Sequence, residues 1–258
     1  MPIIDTHCHL NDERLWNDHE GLISGLSTYG IESVVCVGYD TASSKMSFDL
    51  ATKFDAVYAA VGIHPHDSKT ATDDDYSQFK GFSTNKKVVA IGEIGLDYFY
   101  DLSPRDDQKR VFVEQLELAD SVNLPVILHI RDAYEDARAI LFDNKNKLNN
   151  GFVLHCYSGS PEYVKIFDKL DAFYSFGGAI TFKNARRNLE AMMAVPKDRL
   201  LLETDCPYMT PTPYRGQTNL PKYINLVADK MADELKIERA ELVEKTTLNA
   251  KTLFTRLK

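Results

Sequence analysis

Apolar residues in this 258-residue chain gather into short β-branched runs, not heptads or strict alternation. The runs fall at 2–7 (PIIDTH), 32–38 (ESVVCVG), 56–63 (AVYAAVGI), 88–94 (VVAIGEI), 124–130 (LPVILHI), 151–156 (GFVLHC), 172–177 (AFYSFG) and 199–204 (RLLLET). Continuous apolar runs of this length are what parallel strands buried on both faces require. The segments between them carry helix signals. Ser103-Pro104-Arg105-Asp106-Asp107 reads as a helix start, with an N-cap Ser, Pro at the first helical position and acids in the first turn. Phe112, Leu116 and Ala119 then follow at helical spacing. Ser160-Pro161-Glu162 opens a helix the same way, and two more are predicted near 220–235 and 238–256. Strand–helix units of ~32 residues, repeated eight times, use up the length. The prediction is an α/β fold: a TIM-type (β/α)8 barrel forming a single domain over 1–258. An open doubly wound sheet is the alternative. It calls for a Gly-rich first turn, and the first turn here is His7-Cys8-His9.

Composition narrows the class without changing the fold. The chain is 44% hydrophobic and 26% charged, ordinary values for a globular protein. No apolar stretch approaches the ~20 residues of a membrane span. The start, Met-Pro-Ile-Ile-Asp-Thr-His, has no basic region, so no export signal is expected and the expected compartment is cytoplasmic. The expected state is a monomer. Cys8, Cys36, Cys156 and Cys206 show no C-x-x-C spacing and are expected to be reduced, buried packing thiols. Three of them directly follow His7, His155 and Asp205. On a strand, neighbours face opposite ways, so a site-facing His leaves its Cys in packing. The formal charge of −8 argues against a protein that coats nucleic acid non-specifically.

The histidines carry the chemistry. His7, His9, His64, His66, His129 and His155 all fall at or just past a predicted strand end; His19 sits in a polar helical stretch and reads as surface. Strand ends at one mouth are where barrel enzymes build their sites, and scatter would leave about one His in such positions. His7-x-His9 puts two imidazoles on one strand face. Glu93 closes the fourth run, and Glu203 and Asp205 close the eighth. Singly, each has an ordinary reading as a surface His, a salt-bridge partner or an orienting acid. Together, four imidazoles and two carboxylates are too many donors for one tetrahedral zinc. They suit two divalent ions bridged by a carboxylate. The donor set leaves the metal open among Mg, Mn, Zn, Ni and Fe.

Longer blocks extend the pattern: IDTHCHL (4–10), VGIHPH (61–66), AIGEIGLDY (90–98), LPVILHIRDA (124–133), HCYSG (155–159), ITFKNA (180–185), LLETDCPYMTP (201–211), PYRGQTNLP (213–221) and TTLNAKTLF (246–254). In these blocks the chain resembles the TatD-type metal-dependent deoxyribonucleases of the amidohydrolase-like metal-barrel superfamily. The resemblance covers essentially the whole length. It implies two divalent metal ions per chain, with His7, His9 and Asp205 holding one, His129 and His155 the other, and Glu93 bridging. It implies that His64 contacts substrate near the metals. Cys206 stands where Ala is common, and Gly177-Gly178 where Ser-Gly is common; neither is an implied ligand. No Lys occupies a central strand end, which disfavours dihydroorotase-like and urease-like readings. Asp205 is the candidate to take a proton from the attacking water. The implied activity is exonucleolytic trimming of single-stranded DNA from its 3′ end. Arg131 follows His129 on the same run and is a candidate phosphate contact, with a structural ion pair as the alternative. Lys183, Asn184, Arg186 and Arg187 after strand seven, and Arg215 and Asn219 after strand eight, are candidate substrate contacts because such loops of barrels often bind phosphate; the alternative is a solvated basic run. Tyr157, Tyr208 and Tyr214 are candidates to stack bases at the mouth, although taken singly each reads first as core or rim packing. Two alternatives stay open. One is hydrolysis of an ester, amide or lactone, above all D-aminoacyl-tRNA, which would make tRNA the partner. The other is a catalytically dead barrel acting as a binding module, which predicts broken ligands; none of the six is broken.

Overall fold

Eight strands form in chain order: β1 (Ile3–Cys8), β2 (Ile31–Val37), β3 (Val57–Val61), β4 (Val88–Asp97), β5 (Val126–Arg131), β6 (Phe152–Leu154), β7 (Phe173–Phe176) and β8 (Leu200–Leu202). This computed structural model describes residues 2–258. The strands make one parallel sheet whose spatial order is the sequence order, with a helix in every connection. That is the expected (β/α)8 barrel.

The barrel closes between β8 and β1, largely through side chains. Thr6 Oγ1 donates to the Leu202 carbonyl at 2.9 Å. The Asp5 carboxylate accepts from Thr204 N at 2.9 Å and from Thr204 Oγ1 at 2.6 Å. Nearer the mouth, Asp205 N donates to His7 O at 2.9 Å and His9 N to Cys206 O at 2.7 Å. Asp5 is fully buried, and burial pushes its pKa up to about 7 despite the lowering effect of the Thr204 bonds.

Two apolar layers hold the elements together. Every strand contributes buried side chains to the barrel interior, from Ile4 of β1 to Leu201 of β8, and Phe254 and Leu257 pack against them from the end of the last helix (Arg239–Leu253). The interior is therefore a filled core, not a channel. A second layer, including Phe79, Phe112 and Phe167, lies between strands and helices. On the side where the strands begin, Lys87 and Arg256 line a cavity of about 980 Å³. Both spend their charge on backbone carbonyls, Lys87 on those of Asp55 and Val57, Arg256 on those of Ser83 and Val88.

Element boundaries differ from expectation where the site begins. β6 and β8 stop at Leu154 and Leu202, just before the chemistry-bearing residues. There the backbone leaves the extended region: Cys156 has φ +42° and Asp205 φ +55°. β4 is longer than expected because Ile94–Asp97 keep pairing with Leu128–Arg131. Gly95 allows this, since its φ is +138° and a Cβ there would run into the His129 carbonyl oxygen. Ser160 is an N-cap followed by Pro, as expected. Ser103 is not a cap. The helix starts at Arg105 with Pro104 in the cap position, and Ser103 Oγ instead donates to the His66 carbonyl at 2.6 Å. The two closing helices are Ile224–Leu235 and Arg239–Leu253, where the pattern placed them. Among the described residues no helix is long and apolar enough to cross a membrane.

Candidate metal centre

The six implied ligands converge at the end of the barrel where the strands finish. His7 lies on β1 and His9 just past it, Glu93 on β4, His129 on β5, His155 after β6 and Asp205 after β8. All but His7 line a cavity of about 430 Å³. His7 is buried against it, stacked on His155 with ring centroids 4.0 Å apart.

Glu93 faces two separate groups of nitrogens. Its Oε2 is 3.4 Å from His7 Nε2 and 3.7 Å from His9 Nε2. Those two nitrogens are 3.1 Å apart, and Asp205 Oδ1 lies 3.9 and 3.5 Å from them. Its Oε1 is 2.8 Å from both His129 Nδ1 and His155 Nε2, which are 3.2 Å from each other. Donors placed tetrahedrally at ~2.1 Å from one ion stand ~3.4 Å apart. The first group has that spacing.

The hydrogen-bond partners of the rings assign tautomers that turn lone pairs toward the cluster. His9 Nδ1 is 2.9 Å from the Val37 carbonyl, which can only accept, so the proton sits on Nδ1 and Nε2 turns a lone pair to the cluster. Asp97 Oδ2, 3.0 Å from His129 Nε2, does the same for that ring and leaves Nδ1 facing Glu93. His7 Nδ1 and His155 Nδ1 are buried without partners. With the rings neutral, imidazole and carboxylate lone pairs thus converge, and a cation fits the set. The fields agree. Burial opposes ionisation of Glu93, but the charge of His155 and the hydrogen bonds from His129 and His155 hold it well below the usual carboxylate range. Burial likewise opposes charge on His9, yet its bond to Asp205 and the fields of Glu93 and Asp205 push it up to about 9. His155, buried but beside Glu93, is also raised to about 9. His7 goes the other way, pushed down to about 4 by burial and the charge of His155. The carboxylates of Glu93 and Asp205 supply the negative field that a dication would meet.

His64 plays a different part. Its Nδ1 accepts from His66 N at 3.2 Å, and burial, followed by the charge of His129, keeps the ring neutral. The proton is then on Nε2, 3.5 Å from Glu93 Oε1. His64 lies within ligating reach of Glu93 and His129, but this tautomer makes it a donor into the cavity.

Asp97 was not singled out from the sequence and is central here. It is fully buried, and both oxygens are used. Oδ2 meets His129 Nε2 and, at 3.1 Å, His66 Nε2; Oδ1 accepts from Phe99 N at 3.0 Å and Tyr100 N at 2.8 Å. Its place two residues past Gly95, at the end of GEIGLD, was the available signal. Glu203 orients rather than ligates, accepting from Cys156 N at 2.7 Å and Ser175 Oγ at 2.5 Å.

Residues 4–255 match the family model for TatD-related DNases. The chain belongs to that family. As a TatD-family protein it is a metal-dependent hydrolase, and the clustered His, Glu and Asp side chains are where a metal can be held. It is 43% identical to the metal-dependent hydrolase YabD of Bacillus subtilis over 252 residues, covering 98% of each chain. It is 30% identical to the 3′-5′ ssDNA/RNA exonuclease TatD of Cronobacter turicensis, covering 98% of this chain and 97% of that one. Its fold superposes on the crystal structure of YJJV, a TatD homologue from Escherichia coli, with TM-score 0.92, 30% identity and 98% coverage of both.

The remaining expected site residues of this TatD-family barrel do not all reach the cavity. Arg131 does, with its guanidinium 4.0 Å above the Phe99 ring. Tyr208 also does, but Arg14 packs on its ring at 4.2 Å and its hydroxyl donates to Asp12 at 3.1 Å. Lys183, Asn184, Arg186 and Arg187 are exposed and stand outside the cavity lining, as does Tyr214. Arg186 pairs with Glu190, and Arg215 lies 3.7 Å over Phe182. Asn219 is corrected from substrate contact to loop support: it is buried, and its Nδ2 donates to the carbonyls of Thr204 (2.8 Å) and Tyr208 (2.6 Å). Tyr157 takes the packing role and not the stacking one: it is 1% exposed and packed on Tyr174, so no base can reach its ring. His19 is half-buried against Trp16, away from the site. Cys8, Cys36 and Cys206 are buried and free as expected, while Cys156 is only partly buried.

Proposed function

We propose that this TatD-family hydrolase cleaves phosphodiester bonds at the 3′ ends of single-stranded DNA using two divalent ions. In this reading His7, His9 and Asp205 hold one ion, His129 and His155 hold the other, and Glu93 is shared. The observation that carries it is the Glu93 carboxylate, whose two oxygens face two different imidazole pairs. Divalent ions held there would lower the pKa of bound water and stabilise charge on a phosphoryl oxygen. Asp205 points Oδ1 at His7 and His9, which leaves Oδ2 to take the proton of the attacking water. His64 donates from Nε2 to a phosphate oxygen or the leaving sugar oxygen. Arg131, free of carboxylate partners among the described residues, adds a phosphate contact. The activity in the name of the Cronobacter relative supports this choice of bond.

A carbonyl could be attacked with the same residues, so the test runs substrates side by side. Metal-loaded protein is assayed on a single-stranded DNA oligomer, a D-aminoacyl-tRNA and a simple lactone, with Glu93→Ala in parallel. The expected result is release of 3′ nucleotides, with loss of both activity and bound metal in Glu93→Ala. Turnover confined to the ester substrates overturns the nuclease reading. Full metal content and activity in Glu93→Ala overturn the shared-carboxylate assignment.

A further inference from the structure

Beside the cavity, the loop after β4 exposes two aromatic rings. Phe99 is 56% and Tyr100 53% exposed, large values for apolar rings next to a working site. The loop is stiff despite its exposure. Asp97 Oδ1 holds both backbone N–H groups, Tyr98 donates its hydroxyl to Asp136 at 2.6 Å, and Arg105 packs over Tyr98 at 4.1 Å. The rings are therefore presented rather than collapsed, and little ordering cost remains for a ligand that covers them.

Ring-to-ring contact runs from this loop inward. Phe99 meets Tyr100 at 4.9 Å between centroids, Tyr100 meets His66 at 5.4 Å, His66 meets His64 at 4.2 Å and His64 meets His129 at 4.4 Å. Arg131 lies over Phe99 at 4.0 Å and Tyr100 at 4.9 Å. No carboxylate pairs with it among the described residues, so its N–H edges stay free for an anion. Phe99 and Tyr100 stand at 88° to each other, so they form an aromatic corner and not a flat surface. Such a corner, joined to an unpaired guanidinium and continuous with a phosphodiester-cleaving centre, matches one nucleotide: a base against one exposed ring and a phosphate for the Arg. Across the mouth, Tyr208 also carries an arginine on its ring, Arg14, but that guanidinium is paired with Asp12 at 2.8 Å and is not free for a phosphate.

We propose that Phe99 and Tyr100, with Arg131, form the platform on which a base near the 3′ end of the substrate strand stacks, setting a preference for base-bearing ends. The proposal rests on the nuclease reading above.

The test uses manganese-loaded wild type and the double variant Phe99→Ala/Tyr100→Ala. The probes are single-stranded oligomers whose 3′-terminal linkages are phosphorothioates, which slows cleavage. One carries 2-aminopurine at the 3′ end and the other an abasic site there. Wild type should quench 2-aminopurine emission and bind the base-bearing oligomer roughly 5- to 100-fold more tightly than the abasic one. The double variant should lose both the quenching and the discrimination while keeping its metal content. Equal binding of the two oligomers by wild type, or retained quenching in the variant, overturns the platform and leaves the nuclease reading standing. Failure of wild type to bind either oligomer overturns both.

Discussion

Asp97→Asn is the most informative substitution, because it changes one atom and the structure says which bonds must fail. The carboxylate only accepts. It satisfies four donors: two backbone N–H groups through Oδ1 and two imidazole nitrogens through Oδ2. In Asn the amide oxygen can replace one of these oxygens and the NH2 must replace the other. The rim loop needs an acceptor at Oδ1, so the NH2 falls against His129 Nε2 and His66 Nε2. To accept from it, His129 must move its proton to Nδ1, the nitrogen facing Glu93 Oε1 at 2.8 Å. One lone pair of the second group is then lost without loss of a single heavy atom. Removing such outer carboxylates costs roughly 10- to 100-fold in metal affinity or activity. The assay is competition with a calibrated chelator, read for each ion in turn, with near-ultraviolet circular dichroism to show the fold intact. One ion should weaken by that factor, and the ion held by His7, His9 and Asp205 should bind as in wild type. Two unchanged affinities would refute the tautomer argument; equal weakening of both would show that Asp97 acts on the whole mouth rather than through His129.

Three further predictions concern the frame. Thr204→Val removes the hydroxyl donor of the buried Asp5 and should cost about 1–3 kcal/mol in urea unfolding; no loss would mean that this hydroxyl adds nothing to closure of the barrel. Phe254→Ala, at a fully buried position under the barrel interior, should cost about 3–5 kcal/mol in urea unfolding while metal content at ambient temperature stays unchanged. Charge reversal at Arg186 and Arg187 should leave DNA turnover and its salt dependence unchanged, since both lie outside the cavity lining and exposed pairs such as Arg186–Glu190 contribute little; a flattened salt slope would return that helix to the substrate path.

Much of this molecule was legible before any coordinates. The eight apolar runs placed every strand, since buried parallel strands must be apolar throughout and the gaps had room for helices. His7, His9, Glu93, His129, His155 and Asp205 were legible because each closes a run, and run ends meet at one mouth. The misses share a cause: they depend on which way a loop residue turns. Asn219 and Tyr157 stood beside the chemistry in sequence, but their polar atoms satisfy nearby carbonyls, those of Thr204 and Tyr208 for one and Ser160 for the other. Asp97 is not marked by the sequence pattern, because its value lies in accepting four bonds at once, which no spacing reveals. Nothing in the sequence marks Phe99 and Tyr100 as exposed, because exposure depends on how the loop after β4 turns. Ser103 showed a cap signal, but its hydroxyl found the His66 carbonyl first.

The seam between β8 and β1 has a consequence for how the protein comes into being. The Asp5–Thr204 bond joins positions 199 residues apart, and the His7–His9–Asp205 group straddles the same joint. During synthesis the first two imidazoles leave the ribosome long before their carboxylate partner exists. A nascent chain can therefore hold no more than a loose grip on an ion at that position. Tight metal capture reports that the ring of strands has been completed, so an unfinished chain is also an unarmed one.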